Sequence, residues 1–387
     1  MPEADRPLAG RKVAEVLATS TGGVGTHLRS VLGPLAAAGA WLRVCGPAAT
    51  DELFGFSTAG AVFRPVGISA GLDPVADARA VAALRRATAG ADLVHAHGLR
   101  AGLVAAAARR LAGQRSPSPV PPLVVTLHNA LPPVTGPRAQ VLERLERATV
   151  RSADVVLAAS GDLGEHARRL GALDVRPAPV AAPPLALPLR GRPEVRRELG
   201  VDDRRPLVLA VGRLHPQKGY DVLLDAAARW VADPRLSPPP LVAIAGDGPL
   251  QRSLADRIAA ERLPVTLLGR RTDVADLLGA ADVCVLPSNW EARSLTAQEA
   301  LRTGVPLVAT RVGGTPELVG DAAELVPAGD AGALAEAVAA LLVDPARVHR
   351  LAVAGPLRAA SWPDEAATAG QLVALYRELL GPPPGQR

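Results

Sequence analysis

The segment Leu207–Ala227, LVLAVGRLHPQKGYDVLLDAA, joins a short apolar run to a glycine-bounded polar turn and then to a run of helical composition. The segment Val13–Leu32, VAEVLATSTGGVGTHLRSVL, has the same organisation. A strand, a glycine-containing turn and a helix form the first unit of a doubly wound parallel sheet. Because each half of the chain opens with such a unit, we expect two Rossmann-like α/β domains.

The rest of the chain alternates short apolar runs with Ala-, Leu- and Arg-rich segments of helical period. This alternation is typical of βαβ units and therefore of parallel sheets. The predicted strands of the first half are Val13–Ala18, Trp41–Cys45, Ala61–Val66, Asp92–His97, Leu123–His128 and Asp154–Ala159. Those of the second half are Leu207–Val211, Leu241–Ala245, Val265–Leu268, Asp282–Leu286, Val305–Ala309 and Glu324–Val326.

The length of 387 residues suits two domains. A proline-rich stretch within Arg176–Pro193 cannot continue a helix or a central strand, so we place the domain linker there. The predicted organisation is an N-terminal domain at 1–182, a linker at 183–193, a C-terminal domain at 194–361, a helix at 362–381 that returns to the first domain, and a disordered tail at 382–387.

Composition excludes several classes of protein. Apolar residues make up 48% of the chain, but no uncharged apolar run approaches the roughly 20 residues of a membrane span. The amino terminus lacks a basic-then-apolar signal pattern. Cys45 and Cys284 lie in separate apolar runs, which indicates buried thiols and no disulfide or zinc site. We therefore expect a cytoplasmic protein.

The formal charge of +5 is unevenly distributed. The first 185 residues carry 20 basic and 14 acidic side chains, and the remainder carry 23 and 24. A basic first half suits a solvated surface, an anionic acceptor, or peripheral contact with an anionic membrane through a helix predicted at Pro137–Arg151. Nucleic acid is not an expected partner, because aromatic residues make up only 2% of the chain and provide no stacking surface.

The turn after the strand at Leu207 carries two cations, Arg213 and Lys218. Of 43 basic residues, 41 are arginine, so Lys218 is one of only two lysines. Cations held at a strand end are suited to bind a diphosphate, although Arg213 could instead pair with a surface carboxylate. The glycines of Gly22–Gly25 permit a phosphate or sugar to approach a helix start, or form only a tight turn. Neither turn completes a dinucleotide or Walker fingerprint, which argues against an oxidoreductase.

Two glutamates follow near the end of the fourth strand of the second half. Glu291 should lie on the loop that enters a helix, and Glu299 should lie inside that helix. At eight residues apart they would be about 80° out of phase on a helix, so they do not face each other as an acid–base pair. Glu299, among apolar neighbours, suits the paired hydroxyls of a ribose. Glu291, beside the free N–H groups of Leu295 and Thr296, suits sugar hydroxyls or simply satisfies the helix dipole.

Three histidines, His95, His97 and His128, are expected at neighbouring strand ends of the first domain. They could form a metal triad or a hydrogen-bonding wall. We favour the wall, because the sequence offers no Asp or Glu at a neighbouring strand end to complete a metal site.

Taken together, these motifs resemble those of the retaining glycosyltransferases of family 4, the group 1 glycosyltransferases, which have a GT-B fold of two Rossmann-like domains. In the second half the resemblance rests on Gly212-Arg213, Lys218-Gly219, Gly246–Pro249, Asp282–Ser288, the pair Glu291 and Glu299, Gly304–Thr310 and Gly313–Glu317. In the first half it rests more loosely on Gly22–Gly25, His95–His97 and Thr126–His128.

The resemblance implies a cytoplasmic hexosyltransferase that needs no metal or other cofactor. Its two domains would face across a cleft, with the acceptor side in 1–182 and the donor side in 194–361. The implied donor is a UDP- or GDP-linked sugar, and the implied acceptor is an unidentified hydroxyl compound, anionic or lipid-linked. Transfer would retain anomeric configuration on one face of the sugar, so no enzymic nucleophile is required.

The resemblance also assigns roles to residues. It implies that Arg213 and Lys218 bind the diphosphate, and that Glu299 binds the ribose. Glu291 would bind the donor sugar, with His128 near it in the first domain. The remaining donor-binding residues that it implies are Gly23, Gly25, Gly212, Gly246, Gly248, Arg270, Ser294, Leu295 and Thr296.

This chain departs from the family pattern at Arg293 and Ser294, where the family commonly has an aromatic residue and a glycine. The floor of the sugar pocket should therefore differ. Two alternatives share the same motifs: a nucleotide-sugar 2-epimerase of this fold, and a non-catalytic module that binds a nucleotide sugar or a membrane. An epimerase would consume donor without an acceptor, and a binding module would release no nucleoside diphosphate.

Overall fold

The protein consists of two compact units of parallel α/β structure. The computed structural model describes residues 6–113, 120–130, 136–183, 185–202 and 204–382. One unit is formed by Met1–Pro183 together with Pro363–Arg387, and the other by Pro184–Trp362. Each unit contains one parallel sheet with its own core.

The first unit is built on a seven-stranded sheet of order β3-β2-β1-β4-β5-β6-β7, in which every pairing is parallel. The strands are β1 Lys12–Leu17, β2 Trp41–Gly46, β3 Val62–Pro65, β4 Leu93–His97, β5 Leu123–Leu127, β6 Val155–Ala158 and β7 Val175–Pro177. The strand order reverses between β1 and β4. Ligands of doubly wound sheets bind beyond the carboxyl ends of the strands at such a reversal.

Helices connect these strands, as parallel pairing requires. They are α1 Gly23–Ala37, α2 Ala48–Phe54, α3 Pro74–Ala87, α4 Leu99–Gly113, α5 Pro137–Ser152 and α6 Gly161–Arg169. Helix α3 shows how the sequence sets a boundary: the Asp73 side chain accepts hydrogen bonds from the N–H groups of Val75 and Ala76, both at 3.0 Å, and Pro74 opens the helix.

The second unit repeats the arrangement in a six-stranded sheet of order β10-β9-β8-β11-β12-β13. The strands are β8 Leu207–Val211, β9 Leu241–Ala245, β10 Val265–Gly269, β11 Val283–Leu286, β12 Leu307–Thr310 and β13 Glu324–Val326. The order reverses between β8 and β11. The turn after β8 and the segment after β11 therefore meet at the reversal point of this sheet.

The helices of the second unit cover both faces of its sheet. They are α7 Arg192–Glu198, α8 Tyr220–Ala232, α9 Gln251–Glu261, α10 Val274–Ala280, α11 Leu295–Arg302, α12 Thr315–Val319, α13 Ala331–Val343 and α14 Pro345–Ala360. Trp230 of α8 is fully buried, and its indole N–H donates to the Ala335 carbonyl of α13 at 3.0 Å. This bond satisfies the polar atom of the largest buried side chain of the unit.

The last helix, α15 Glu365–Leu380, belongs to the first unit and packs against α1. Leu372, Leu375 and Tyr376 are buried in the same core as Val13 of β1. The helix was predicted from residue 362 but begins at Glu365, because the Asp364 side chain accepts from the Ala367 N–H at 2.7 Å and caps it.

All twelve predicted strands are present with ends within two residues of the prediction. Strand β7 was not predicted, since Pro177 argued against a strand. It is an edge strand that pairs only with β6, where a proline at the end of the strand is tolerated.

The predicted linker at 183–193 is shorter in the structure. Helix α7 starts within it at Arg192, with Pro193 in its first turn, a favourable position for proline. The segment before α7 is tied to the second unit, because Leu189 N–H donates to Asp276 Oδ1 at 2.7 Å. Pro184 of this linker and residues 383–387 of the predicted tail lie outside the described residues.

Both cysteines are buried and free, as expected from their apolar surroundings. Burial raises the pKa of each thiol to about 12. Among the helices that the structure describes, none is long and apolar enough for a membrane crossing.

Candidate active site

The turn between β8 and α8 lies at the reversal point of the second sheet. It runs from Gly212 through a short 3-10 turn at Pro216–Lys218 to Gly219, which starts α8. Gly219 has a φ of +64°, and a Cβ there would lie 2.1 Å from the Pro287 carbonyl oxygen. Only glycine therefore lets this turn pack against the segment that follows β11.

The turn is joined to the following segment by a lysine–glutamate pair. Lys218 Nζ lies 2.5 Å from Glu291 Oε1, and both side chains are largely buried. Ser288 Oγ donates to the same carboxylate oxygen at 2.7 Å. The sequence predicted separate ligand-binding roles for the two charged residues, whereas in the structure each is the partner of the other.

Hydrogen bonds between the two segments hold this pair in place. Gln217 Nε2 donates to the Trp290 carbonyl at 2.9 Å, and the Asn289 N–H donates to the Gln217 carbonyl at 2.7 Å. Ser288 is fully buried, and its hydroxyl holds the Glu291 carboxylate in place by a hydrogen bond. No role was predicted for Ser288 or Gln217, because nothing in their local sequence indicates that β8 and β11 are neighbours. Arg213, the second predicted cation, is exposed in the same turn.

Helix α11 places the second glutamate. Its N-cap is Ser294, whose Oγ accepts from the Ala297 N–H at 3.3 Å. Thr296 Oγ1 donates to the Val211 carbonyl at 3.1 Å, which docks the first turn of α11 on the end of β8. The N–H groups of Leu295 and Thr296 are therefore at a helix N-terminus next to the β8 turn, where an anion is favoured.

Glu299 lies one turn further along α11 and is half-buried. Burial raises the pKa of its carboxyl to about 7, against the opposing effect of Arg302. Within the described residues no hydrogen bond reaches the Glu299 carboxylate. A carboxylate held in a poorly solvated place without donors is suited to accept hydrogen bonds from a ligand.

Three predicted donor-binding residues lie in the loops that follow the neighbouring strands β9 and β10. Gly246 and Gly248 follow β9, and a Cβ at Gly246 would lie 1.9 Å from the Gly212 carbonyl oxygen. Glycine is thus required for packing of the two loops, whatever they bind. Arg270 follows β10 and is exposed, and the Gly246 N–H donates to the Gly269 carbonyl beside it at 2.8 Å.

The two departures from the family pattern have local explanations. Arg293 lies over the ring of Trp362, with Cζ 5.6 Å from the ring centroid, and burial lowers its pKa to about 10. Ser294 is the N-cap of α11. Both residues therefore shape the entrance of the helix that carries Glu299.

In the first unit, Gly23 is the first residue of α1, so its N–H lies at a helix N-terminus. Gly25 is buried against α2, and a Cβ there would lie 2.2 Å from the Phe54 ring. A larger residue at position 25 would displace the Phe54 ring, so packing accounts for a small residue here.

The three predicted histidines lie together at the reversal point of the first sheet. His97 Nδ1 is 3.2 Å from His128 Nε2, and the rings of His95 and His97 are 4.2 Å apart. Burial lowers the pKa of His95 and of His128 well below the usual value. Burial also lowers the pKa of His27, whose ring is 5.5 Å from that of His128, to about 3.

The expectation that no carboxylate joins these histidines is wrong. Glu15 of β1 is fully buried among them, with Oε2 2.9 Å from His97 Nε2 and 3.4 Å from His95 Nδ1. Tyr376 of α15 donates to Glu15 Oε1 at 2.9 Å. The sequence did contain a signal, since Glu15 is a carboxylate in the middle of an apolar run that predicts a buried strand.

Glu15, His95 and His97 could in principle hold a metal ion, since one ligand atom from each lies within 4.8 Å of the others. In the structure these atoms already bond to one another, to Tyr376 or to neighbouring side chains. Hydrogen bonds among these side chains therefore explain their close approach without a metal ion.

Two doubly wound parallel sheets, each with a glycine-containing turn after its first strand, are features of the GT-B class of fold. The structure of Anabaena HepE in complex with UDP-glucose superposes on 95% of this chain and 99% of its own, with a TM-score of 0.77 and 23% identity. This likeness shows the shared fold.

Sequence comparison identifies the family. Residues 22–186 match the glycosyl transferase 4-like domain, and residues 191–358 match the glycosyl transferases group 1. The alpha-maltose-1-phosphate synthase of Mycolicibacterium smegmatis is 33% identical over 317 residues, which cover 75% of this chain and 79% of that protein. The alpha-D-kanosaminyltransferase of Streptomyces kanamyceticus is 34% identical over 195 residues, which span about half (49%) of each chain. The chain belongs to the group 1 glycosyltransferases.

Proposed function

We propose that the protein transfers a hexosyl group from a nucleoside-diphosphate sugar to a hydroxyl acceptor, with retention of configuration and without a metal ion. The observation that carries this proposal is the Lys218–Glu291 pair, with Nζ and Oε1 2.5 Å apart. It joins the turn after β8 to the segment after β11, at the point of the sheet where ligands of this fold class bind.

The cations of the β8 turn would hold the diphosphate. Arg213 and Lys218 lie five residues apart in a turn whose backbone is fixed by close packing at Gly219. Charge-assisted hydrogen bonds contribute about 1.5–3 kcal/mol each. Because negative charge grows on the leaving diphosphate, cations placed in advance lower the barrier and supply what a divalent ion supplies elsewhere.

Glu299 would bind the ribose. Its carboxylate receives no hydrogen bond from the described residues, and its pKa is raised to about 7 by burial. The two adjacent hydroxyls of a ribose can both donate to one carboxylate, which stabilises the charged form. Donor binding should therefore lower the pKa of Glu299 and release a proton near neutral pH.

Glu291 would orient the donor sugar. Its Oε1 is occupied by Lys218 and Ser288, and Oε2 is left to accept from a sugar hydroxyl. A carboxylate that is bound by an ammonium and a hydroxyl is a weak nucleophile. This environment favours same-face transfer over a covalent sugar–enzyme intermediate at Glu291.

Neighbouring proteins support a uridine donor. The HepE structure contains UDP-glucose, and we propose the same nucleotide class for this chain. The proposal does not include membrane contact, because two of the basic side chains of α5 bond within the protein. Arg147 pairs with Glu143 at 2.7 Å, and Arg151 Nε donates to the Leu170 carbonyl at 3.0 Å.

Release of nucleoside diphosphate tests the proposal. The protein is incubated with a panel of UDP- and GDP-sugars in EDTA, with and without simple glycosides, polyols and sugar phosphates as acceptors. We expect acceptor-dependent release of nucleoside diphosphate and a product whose anomeric proton coupling matches the donor. The matched control is Lys12→Ala, which removes the only other lysine, an exposed residue of the first unit. It should keep the parental rate, whereas Lys218→Ala should not.

Two outcomes would contradict the proposal. Nucleotide-sugar binding without release of diphosphate with any acceptor would indicate a binding module. Conversion of the nucleotide sugar to its C2 epimer without an acceptor would indicate an epimerase.

A further inference from the structure

The buried polar cluster around Glu15 consists of side chains that hydrogen-bond to one another. Glu15 and Tyr376 are fully buried, and His97 is 2% exposed. Burying such groups is unfavourable unless every donor and acceptor is paired. The cluster therefore constrains which atom carries each proton, and those positions can be worked out bond by bond.

The constraint starts at the carboxylate, which can only accept hydrogen bonds when ionised. With Glu15 ionised and a single proton on the His97 ring, that proton lies on Nε2, because His97 Nε2 is 2.9 Å from Glu15 Oε2. Its Nδ1 is then an acceptor. Because His97 Nδ1 lies 3.2 Å from His128 Nε2, His128 must donate there and carries its own proton on Nε2.

A second branch of the cluster is satisfied independently. Tyr376 donates to Glu15 Oε1 at 2.9 Å, and its oxygen accepts from His95 Nδ1 at 2.5 Å. His95 Nε2 then accepts from Thr126 Oγ1 at 2.6 Å. Each bond thus has one donor and one acceptor, and the two branches meet only at the carboxylate of Glu15.

The first branch ends at His128, directly after β5. Burial lowers the pKa of His128, and its side chain is neutral with a single N–H. Since that proton is on Nε2, Nδ1 is a hydrogen-bond acceptor. No described residue donates to Nδ1, and the ring lies at the carboxyl edge of the sheet, where ligands of this fold bind.

We propose that Glu15 and His97 are positioning residues that fix the proton of His128 on Nε2, so that Nδ1 accepts a hydrogen bond from a hydroxyl of the acceptor. This inference rests on the proposed glycosyl transfer and assigns part of its specificity to a buried relay. If the proton of His128 moved to Nδ1, this nitrogen would become a hydrogen-bond donor. The substrate hydroxyl that donates to Nδ1 would then lose its acceptor. The relay therefore affects turnover without touching the substrate.

The first experiment measures the protons directly in the ligand-free protein. The chain has seven histidines, so the ¹⁵N signals of a histidine-labelled sample can be assigned with single His→Gln variants. The nitrogen chemical shifts distinguish a protonated from an unprotonated ring nitrogen. We expect the Nε2–H form for His97 and His128, the Nδ1–H form for His95, and no stoichiometric metal in the purified protein.

The second experiment breaks each branch separately. Glu15→Gln places an amide where the carboxylate accepts, so His97 and His128 should lose their single proton arrangement and kcat should fall at least tenfold. The Kd for nucleoside diphosphate, whose proposed site lies in the other unit, should change less than threefold. Tyr376→Phe is the matched control, because it removes the other hydrogen bond of the same carboxylate. It should keep the parental forms of His97 and His128 and a kcat within threefold of the parent.

Several results would overturn the inference. These are an Nδ1–H form of His128 in the parent, a doubly protonated His97, a bound metal at the cluster, or a Glu15→Gln protein that keeps either the parental proton positions or the parental kcat. Failure of the proposed function is a separate result, since the parent would then release no nucleoside diphosphate from any donor while the proton positions could still be measured.

Discussion

Replacing Glu299 by glutamine should make the ligand-free protein more stable at about pH 8 while removing part of its donor site. The pKa of this carboxyl is raised from 4.5 to about 7, chiefly by burial. The folded state therefore favours the protonated form. Below the unfolded pKa the group is protonated in both states and carries no penalty, and the penalty develops as the pH rises from about 4.5 through about 7.

The size of the effect follows from the shift. Each pKa unit corresponds to about 1.4 kcal/mol, so the full shift corresponds to about 3 kcal/mol. Glu299 is half-buried, and water screens part of this, so we expect a gain of about 2 kcal/mol for Glu299→Gln at pH 8. For a unit of this size the transition should rise by about 4–8 °C. At about pH 4 the variant and the parent should differ little.

Unfolding by urea and by heat, at both pH values, measures this difference. Glu324→Gln is a control of opposite sign in the same unit, because Glu324 accepts from Arg347 Nε at 2.8 Å and this bond holds its pKa below the usual value. That variant should be less stable at pH 8, by about 1 kcal/mol or less. A Glu299→Gln protein that is no more stable than the parent at pH 8, or that is stabilised equally at both pH values, would refute the reasoning.

Three further predictions concern the donor site. Lys218→Ala should lower kcat/KM about a hundredfold in the nucleoside diphosphate release assay. Lys218→Arg should not restore it, because a planar guanidinium does not replace a compact ammonium beside Glu291. Near-parental rates for either variant would disprove the role of Lys218. The affinity of the parent for a nucleotide sugar should fall by up to tenfold per pH unit below about pH 7, because the bound form requires charged Glu299. Calorimetry with Glu299→Gln should give weaker binding that no longer depends on pH in this range. Gly246→Ala should destabilise the second unit by about 2 kcal/mol or more, since its Cβ would lie 1.9 Å from a carbonyl oxygen. Urea unfolding measures this loss, and the control is Gly279→Ala, where a Cβ meets nothing within 4 Å. Equal stability of the two variants would contradict the prediction.

The fold could be predicted from the sequence because its signals are local. Each predicted strand is an apolar run bounded by turn residues, and the repeated strand–turn–helix opening indicated two doubly wound sheets. Strand β7 was missed because its three residues include a proline and its pairing with β6 depends on the whole sheet. Local propensity cannot show an edge position.

The site was only partly predictable, for a related reason. The residue types of Arg213, Lys218, Glu291 and Glu299 indicated anion and hydroxyl binding. The bond between Lys218 and Glu291 joins residues 73 positions apart, and it follows only from the adjacency of β8 and β11. That adjacency is a property of the doubly wound strand order, so the pair could have been inferred from topology once the fold was known.

Glu15, in contrast to the Lys218–Glu291 pair, gave a local signal in the sequence. A charged residue in the middle of a predicted buried strand indicates a buried partner, and this signal was present in the sequence. The identity of the partners was not, because Tyr376 lies 361 residues away on the last helix. The predicted roles of Gly246 and Gly248 show a further limit, since packing of neighbouring loops explains these glycines without a ligand.

We propose that the turn after β8 and helix α11 together form a metal-independent site for a nucleoside diphosphate. Calorimetric titration of UDP and GDP into the protein in EDTA tests it most directly. We expect one nucleotide per chain, with affinity lowered at least tenfold in both Lys218→Ala and Glu299→Gln and unchanged in Lys12→Ala. Absence of binding by either nucleotide in the parent, or equal affinity in all four proteins, would contradict the claim.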